Sequence, residues 1–269
     1  MLRKLWAFYK RDWQIAATNR FRIFHMFGSV IASLAGLYFV GKLLRAGGEN
    51  PYLKAYGGDY FRFVLLGIIT SGLMGTALRS FTQMIHSERG HGTLEMILLT
   101  PTSLTAMALG KTLWDLTRVV IRVAVLLLLG SLLFHADFSK ANWLALILAG
   151  TLTAGIFLGI GMITAGLSLL WRESAPFETL FHGISQFLAG VYFPVEIIPS
   201  WLQTASHLLP LTHSLRLIRR TLIEGISLSA VGKELAILSG FFLVCLPLGF
   251  LFFRWALTEA RRQGSLGFK

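Results

Sequence analysis

Residues 143–170 read WLALILAGTLTAGIFLGIGMITAGLSLL, without one charged side chain. A helix needs about 20 apolar residues to cross a hydrocarbon core about 30 Å thick, and this run exceeds that. It is apolar on every face, so it lacks the polar stripe of a helix on a soluble domain. Working outward, five more stretches approach the same length: Ile23–Leu44, Phe63–Phe81, Val119–Phe134, Phe177–Phe193 and Leu235–Phe253. The expected fold class is all-α, a polytopic membrane protein with about six transmembrane helices in one domain over residues 1–269. Lys111, Asp115, Arg118 and Arg122 precede the apolar part of the third span. They read as charged first turns of the same helix, extending out of the membrane near the headgroups.

Composition agrees. Of 269 residues 54% are hydrophobic and only 14% charged, against about 25% charged in an ordinary soluble domain; the mean hydropathy is +0.64. The net charge of +12 sits beside apolar runs, where Lys and Arg anchor a chain against anionic headgroups. A basic groove with stacking aromatics is missing, so no nucleic-acid partner is expected; membrane lipids are. The single cysteine, Cys245, excludes an internal disulfide and a Cys-based zinc site. The first apolar run begins near Ile23 after a long charged segment, so no cleaved signal peptide is expected.

Residues 1–22 place Leu5, Trp6, Tyr9 and Trp13 at helical spacing, with Arg3, Lys4, Lys10 and Arg11 largely elsewhere. That pattern is an amphipathic helix on the membrane surface, the alternative being an ordinary surface helix. Six spans put both termini on one side, and the Lys/Arg bias selects the cytoplasm for them. Arg216, Arg219 and Arg220 are the exception, left outside. They lie in residues 194–234, where Pro194, Pro199 and Pro210 divide an apolar stretch into pieces too short to span. Broken backbone survives at membrane depth only under a cover of protein or beside water. Short outer re-entrant or interfacial helices are therefore expected, with an extra pair of spans as the alternative.

Residues 82–103 form an inner loop between the second and third spans. Its segment His86–Ser103 reads HSERGHGTLEMILLTPTS. Gly90 and Gly92 free the backbone, Thr93 can cap a first turn, and Glu95 suits the positive end of a helix dipole. Leu94, Ile97 and Leu98 give an apolar face, and Pro101 ends the helix. Such a stiff element can transmit force between a soluble partner and the membrane bundle; a plain connecting loop is the alternative.

Glu88, then Gly92-Thr93-Leu94-Glu95, then Thr100-Pro101 and Ser103, resembles the signature loop of the type-2 permeases of ATP-binding-cassette (ABC) exporters. Phe193-Pro194 through Pro199, Trp201, Leu202, Pro210, Leu211 and Arg216 resembles that family's second signature, after the fifth span. The resemblance covers nearly the whole chain. It implies a permease subunit of the cytoplasmic membrane that pairs with a second permease, expected to be an identical copy, and docks a nucleotide-binding ABC ATPase. In that reading Glu88, Gly92, Thr93, Leu94, Glu95, Leu98 and Pro101 couple to the ATPase. The N-terminal helix with Leu5, Trp6, Tyr9 and Trp13 completes the docking surface. Pro194, Pro199, Pro210 and Arg216 mark outer re-entrant helices, and Arg216, Arg219 and Arg220 meet an outer headgroup layer. The implied cargo is amphipathic: a drug-like compound, a lipid or a saccharide-lipid.

The chain is not expected to hold a cofactor; ATP and Mg would be bound by the partner. A phosphate loop needs Gly-x-x-x-x-Gly-Lys-Ser/Thr. After Gly36 to Lys42 comes Leu43, and before Gly110-Lys111-Thr112 stands Thr105 where glycine is required. His86 and His91 flank Glu88 without the zinc spacing, so no metal site is expected and no catalytic residue is assigned. His182, Ser185 and Gln186, one turn apart in the fifth span, are candidates for a substrate path; helix–helix hydrogen bonding is the alternative. Gly155-x-x-x-Gly159 and Gly161-x-x-x-Ala165 suit close packing within one subunit. Two other functions stay open. An ion-coupled secondary transporter would show carboxylates deep in its spans, which these spans lack. A membrane-embedded lipid-modifying enzyme would need a polar cluster such as His86, Glu88 and His91.

Overall fold

A computed structural model describes residues 6, 9–10, 13–14, 20–46, 51–56, 58–90, 104–139, 141–171, 175–226 and 228–262. Among them the secondary structure is helical, without a strand. The helices are α1 (Arg20–Ala46), α2 (Tyr60–Gly90), α3 (Leu104–Phe134), α4 (Trp143–Trp171), α5 (Ala175–Leu188), α6 (Ser200–His207), α7 (Pro210–Arg219) and α8 (Gly232–Arg262). Four are long and apolar enough to cross a membrane: α2, α3 over Met107–Phe134, α4 and α8. In α1 the apolar stretch is shorter, Val30–Leu44. The stretch expected as a fifth span is helical only as α5, 14 residues long or about 21 Å. The chain then turns through Gly190, whose φ of +74° is left-handed, a conformation glycine adopts without a Cβ penalty.

α2 is the central column: 67% of its apolar window is buried, against 11% for α8. α8 instead exposes Leu243, Val244, Leu248, Leu251 and Trp255, a face suited to lipid rather than water. α4 packs against both α2 and α8, and its glycines permit this. A Cβ on Gly159 would meet the Cys245 carbonyl of α8, and one on Gly161 the Leu78 carbonyl of α2. The small-residue motifs thus serve packing inside this chain. Pro247 lies within α8 without ending it.

Sequence-distant residues meet at each end of the bundle. Phe81, Ile85, Met107, Leu169, Phe253 and Leu257 form a core at the end where α2 leads into residues 91–103. The opposite end is held by Asn142, whose N–H donates to the Thr221 carbonyl (3.0 Å) and whose Nδ2 donates to that of Ile226 (3.3 Å). Trp6, Tyr9 and Trp13 are helical. Tyr9 and Trp13 meet Trp114 edge-on, with ring centroids 5.7 and 5.5 Å away, and Tyr9 stacks on Trp6. The described N-terminal residues and the last turns of α8 therefore share the 91–103 end.

Between α5 and α8 the prolines act as expected. Pro194 and Pro199 precede short helices as N-caps, and Pro210 occupies the first turn of α7, where its missing N–H costs nothing. Residues 210–215 and 217–219 of α7 are buried. The Thr153 hydroxyl donates to Ser214 Oγ at 2.9 Å, about 15 Å along α4 from its start, so α7 inserts into the bundle. Its side chains satisfy the free carbonyls of α6: Thr212 Oγ1 donates to Ser206 O (2.6 Å) and His213 Nε2 lies 2.9 Å from His207 O. After α7 a π-turn, Arg220–Glu224, closes on left-handed Gly225.

Candidate functional site

Three helices, α2, α3 and α5, each contribute one stripe to a cavity of about 440 Å³. From α2 come Ser71, Gly75, Arg79 and Gln83, four residues apart and so on one face. From α3 come Asp115, Arg118, Val119, Arg122 and Leu126, and from α5 His182 and Gln186, with Tyr192 beyond it. Gly75 makes room for the imidazole: a Cβ there would stand 2.8 Å from His182 Nε2.

Polar seams fix these walls. Gln186 Nε2 donates to Ser71 Oγ (2.5 Å), and His182 Nε2 lies 3.2 Å from the Ser71 carbonyl. The Tyr192 hydroxyl reaches Gln186 Oε1 at 3.4 Å. Toward the 91–103 end, the buried Glu178 carboxylate accepts a short hydrogen bond from Thr82. Ser80 Oγ donates to Asp115 (3.2 Å) and meets Thr112 Oγ1 (2.9 Å). Arg118 forms an ion pair with Asp115. Three guanidinium groups thus face the cavity against one carboxylate. Among the described residues neither Arg79 nor Arg122 is in an ion pair.

His182 and Gln186, the substrate-path candidates, line the cavity. Ser185 does not: it is buried on another face, its Oγ without a hydrogen-bond partner among the described residues. The charged turns of α3, expected near the headgroups, turn Asp115 into the bundle. Asp115 is 1% exposed, because the serine and arginine around it replace water. Carboxylates inside the bundle were not expected either, yet both Asp115 and Glu178 are buried. Arg79, Arg118 and Arg122 were missed as lining. The i, i+4 alignment of Arg118 with Arg122 was a usable signal, but which neighbour they face depends on packing.

Of the coupling residues, Glu88 is buried in the last turn of α2. Gly92, Thr93, Leu94, Glu95, Leu98 and Pro101 lie outside the described residues, as does Leu5. Trp6 and Trp13 are exposed at 65% and 49%, leaving aromatic surface at the same end. His86 points to α4, with Nε2 3.4 Å from Ser168 Oγ, and His91 is outside the described residues. Among those described, no three His, Cys, Asp or Glu side chains converge to hold a metal.

Arg219 corrects a further expectation. It does not reach a headgroup layer but is 3% exposed. Its guanidinium stacks 3.5 Å from the Phe63 ring centroid. Its Nη2 donates to the carbonyls of Phe63 (3.1 Å), Gly190 (2.9 Å) and Val191 (3.2 Å). Broken backbone leaves the Gly190 and Val191 carbonyls outside any helix, and one arginine gathers both together with the α2 carbonyl of Phe63. Arg220 is drawn off by an ion pair with Glu234 of α8, 2.6 Å away. Arg216 is half-buried.

Comparison with known proteins bears on the same region. The sequence is 29% identical over 201 residues to Nodulation protein J of Rhizobium leguminosarum bv. trifolii, covering 71% of this chain and 74% of that protein. It is 26% identical over 166 residues to Nodulation protein J of Sinorhizobium fredii, covering 61% of this chain and 63% of that one. It is 26% identical over 191 residues to the probable multidrug ABC transporter permease YbhR of Escherichia coli, covering 69% of this chain but 49% of YbhR. Two of these matches thus span less than two thirds of the relative's length. The sequence profile described as ABC-2 type transporter matches residues 3–223, from the N-terminal aromatics through the cavity to α7, and the chain belongs to that family of membrane transport subunits.

Proposed function

We propose that this chain is the transmembrane subunit of an exporter driven by ATP hydrolysed on a separate nucleotide-binding subunit, which holds the ATP and Mg. The observation that carries the reading is a polar cavity built from three helices of an ABC-2 type membrane bundle, beside the end that bears the N-terminal aromatics, Glu88 and residues 91–103. The ATPase docks at that end, which lies in the cytoplasm with both termini, and residues 93–99 move with it. Two copies pair in the cytoplasmic membrane, each crossing it about six times, with α6 and α7 re-entrant from the outer side. The cargo is amphipathic: drug-like, lipid or saccharide-lipid. Co-expression with the neighbouring ATPase tests this. A stoichiometric complex whose ATPase rate falls several-fold in Glu88→Ala and Leu94→Ala supports it; a chain that purifies alone under several conditions refutes it.

The buried Asp115 and Glu178 favour a second reading, an ion-coupled transporter. In vesicles, uptake that follows an imposed proton gradient without ATP would establish that reading.

A further inference from the structure

Among the described residues that line the cavity, positive charge outnumbers negative. Arg79, Arg118 and Arg122 converge on it from two helices, and among the described lining residues Asp115 is the one carboxylate beside them. That carboxylate is already held by Arg118 and Ser80. Arg122 lies about one turn inside the apolar stretch Val119–Phe134 of α3. Cations at that depth are expensive unless they serve a pathway or find a counter-charge. Val120, Ile121, Leu128 and Leu132 are exposed on α3, and Arg122, itself exposed, stands where that apolar face meets the cavity. Arg122 shares its stripe with Arg118, Val119 and Leu126, all of which line the cavity.

From this we infer that the cavity binds the oxyanion head of an amphiphile, a phosphate, sulfate or carboxylate, between Arg79, Arg118 and Arg122. Guanidinium groups match such oxygens geometrically and are always charged. Ile68, Ile69, Val123 and Leu126 line the same space and take the alkyl chain. His182, Gln186 and Tyr192, toward the opposite end, offer neutral hydrogen-bonding groups to any hydroxyl-bearing part. The volume falls within the range of small-molecule sites. The inference rests on the exporter reading and narrows its cargo to anionic amphiphiles. The same chemistry is offered by a bilayer phospholipid resident in the cavity.

The test uses the full chain in neutral maltoside detergent, titrated with tetradecyl phosphate and read by native mass spectrometry and thermal shift. One saturable tetradecyl phosphate per chain is expected. It is not displaced by tetradecyl maltoside, and its binding weakens at least tenfold in the double variant Arg79→Gln, Arg122→Gln. Arg254→Gln, on α8, changes it less than twofold. Displacement by the maltoside as readily as by the phosphate overturns the inference on the unaltered protein, without reliance on any variant's folding. Native-like binding by the double variant overturns it equally. Phospholipid that co-purifies in stoichiometric amount with the native chain but not the variant identifies the bilayer as the source; a site free of phospholipid identifies transported cargo. An assembled, active ATPase complex that ignores tetradecyl phosphate defeats this inference alone. A chain that binds it but recruits no ATPase defeats the exporter reading and leaves the oxyanion site standing.

Discussion

Gly67 and Gly72 both lie on α2 one and a half turns apart, yet their surroundings give opposite signs to the same substitution. A Cβ on Gly67 would run into the Val191 carbonyl and sit 3.1 Å from Arg219 Nη2, whereas nothing lies within 4 Å of one on Gly72. Gly67→Ala therefore forces the turn after α5 away from α2, at about 1–3 kcal/mol for overpacking. Gly72→Ala gains helix propensity of up to about 1 kcal/mol. Thermal melts in detergent should show the first variant melting lower than native and the second equal or higher. Arg219→Met strikes the same junction from the other side. It leaves the carbonyls of Gly190 and Val191 in the turn short of a donor, at about 1–3 kcal/mol for each that is left unsatisfied. Its melting point should fall further than that of Gly67→Ala. Arg219→Lys should recover only part of the loss, because an ammonium cannot lie flat on the Phe63 ring while reaching all three oxygens. Full recovery by lysine would mean that charge alone, not the planar fork, holds the junction.

Among the elements, the N-terminal segment is joined to the bundle through aromatic faces. Trp114 of α3 receives both Tyr9 and Trp13, and Trp6 extends the stack. Such pairs contribute about 0.5–1.5 kcal/mol each beyond their buried area. Trp114→Ala should release the segment, so tryptic cleavage after the exposed Lys10 should quicken several-fold at a temperature well below the variant's melting point, which falls because Trp114 is buried. An unchanged cleavage rate would place the anchor elsewhere. The periodicity of Leu5, Trp6, Tyr9 and Trp13 pointed to a helix, and Trp6, Tyr9 and Trp13 are helical, but it did not name their partner. Trp114 sits in a charged stretch that reads as leaving the membrane. Where the helix of the fifth apolar stretch ends was not legible for a related reason. Hydropathy counts apolar residues regardless of backbone, and it cannot see that Gly190 turns the chain so that Val191 can lie against Gly67. The prolines of 194–210 were better guides, because proline's fixed φ acts locally, whatever the packing around it.

At the scale of the whole molecule, the apolar runs reveal a membrane bundle because lipid imposes one requirement on all of them. The cavity was half legible. His182 and Gln186 stood out as polar groups in an apolar run, but Arg79, Arg118 and Arg122 looked like boundary charges. Only the packing of α3 against α2 turns them inward. That inward turn can be tested by solvent access. With Cys245→Ser removing the single thiol, Gln83→Cys and Val123→Cys place cysteines on the cavity wall. Val120→Cys and Leu128→Cys place them on the exposed apolar face of α3. A thiol reacts as its thiolate, which forms in water and not in hydrocarbon. A membrane-impermeant charged thiol reagent applied to open membranes should therefore label the first pair many-fold faster than the second. Tetradecyl phosphate should protect Val123→Cys, whose side chain lines the wall beside Arg122. Equal labelling of all four would mean that α3 is bathed in water on both faces. Labelling of Val120→Cys in preference to Val123→Cys would rotate the helix and put the arginines against lipid.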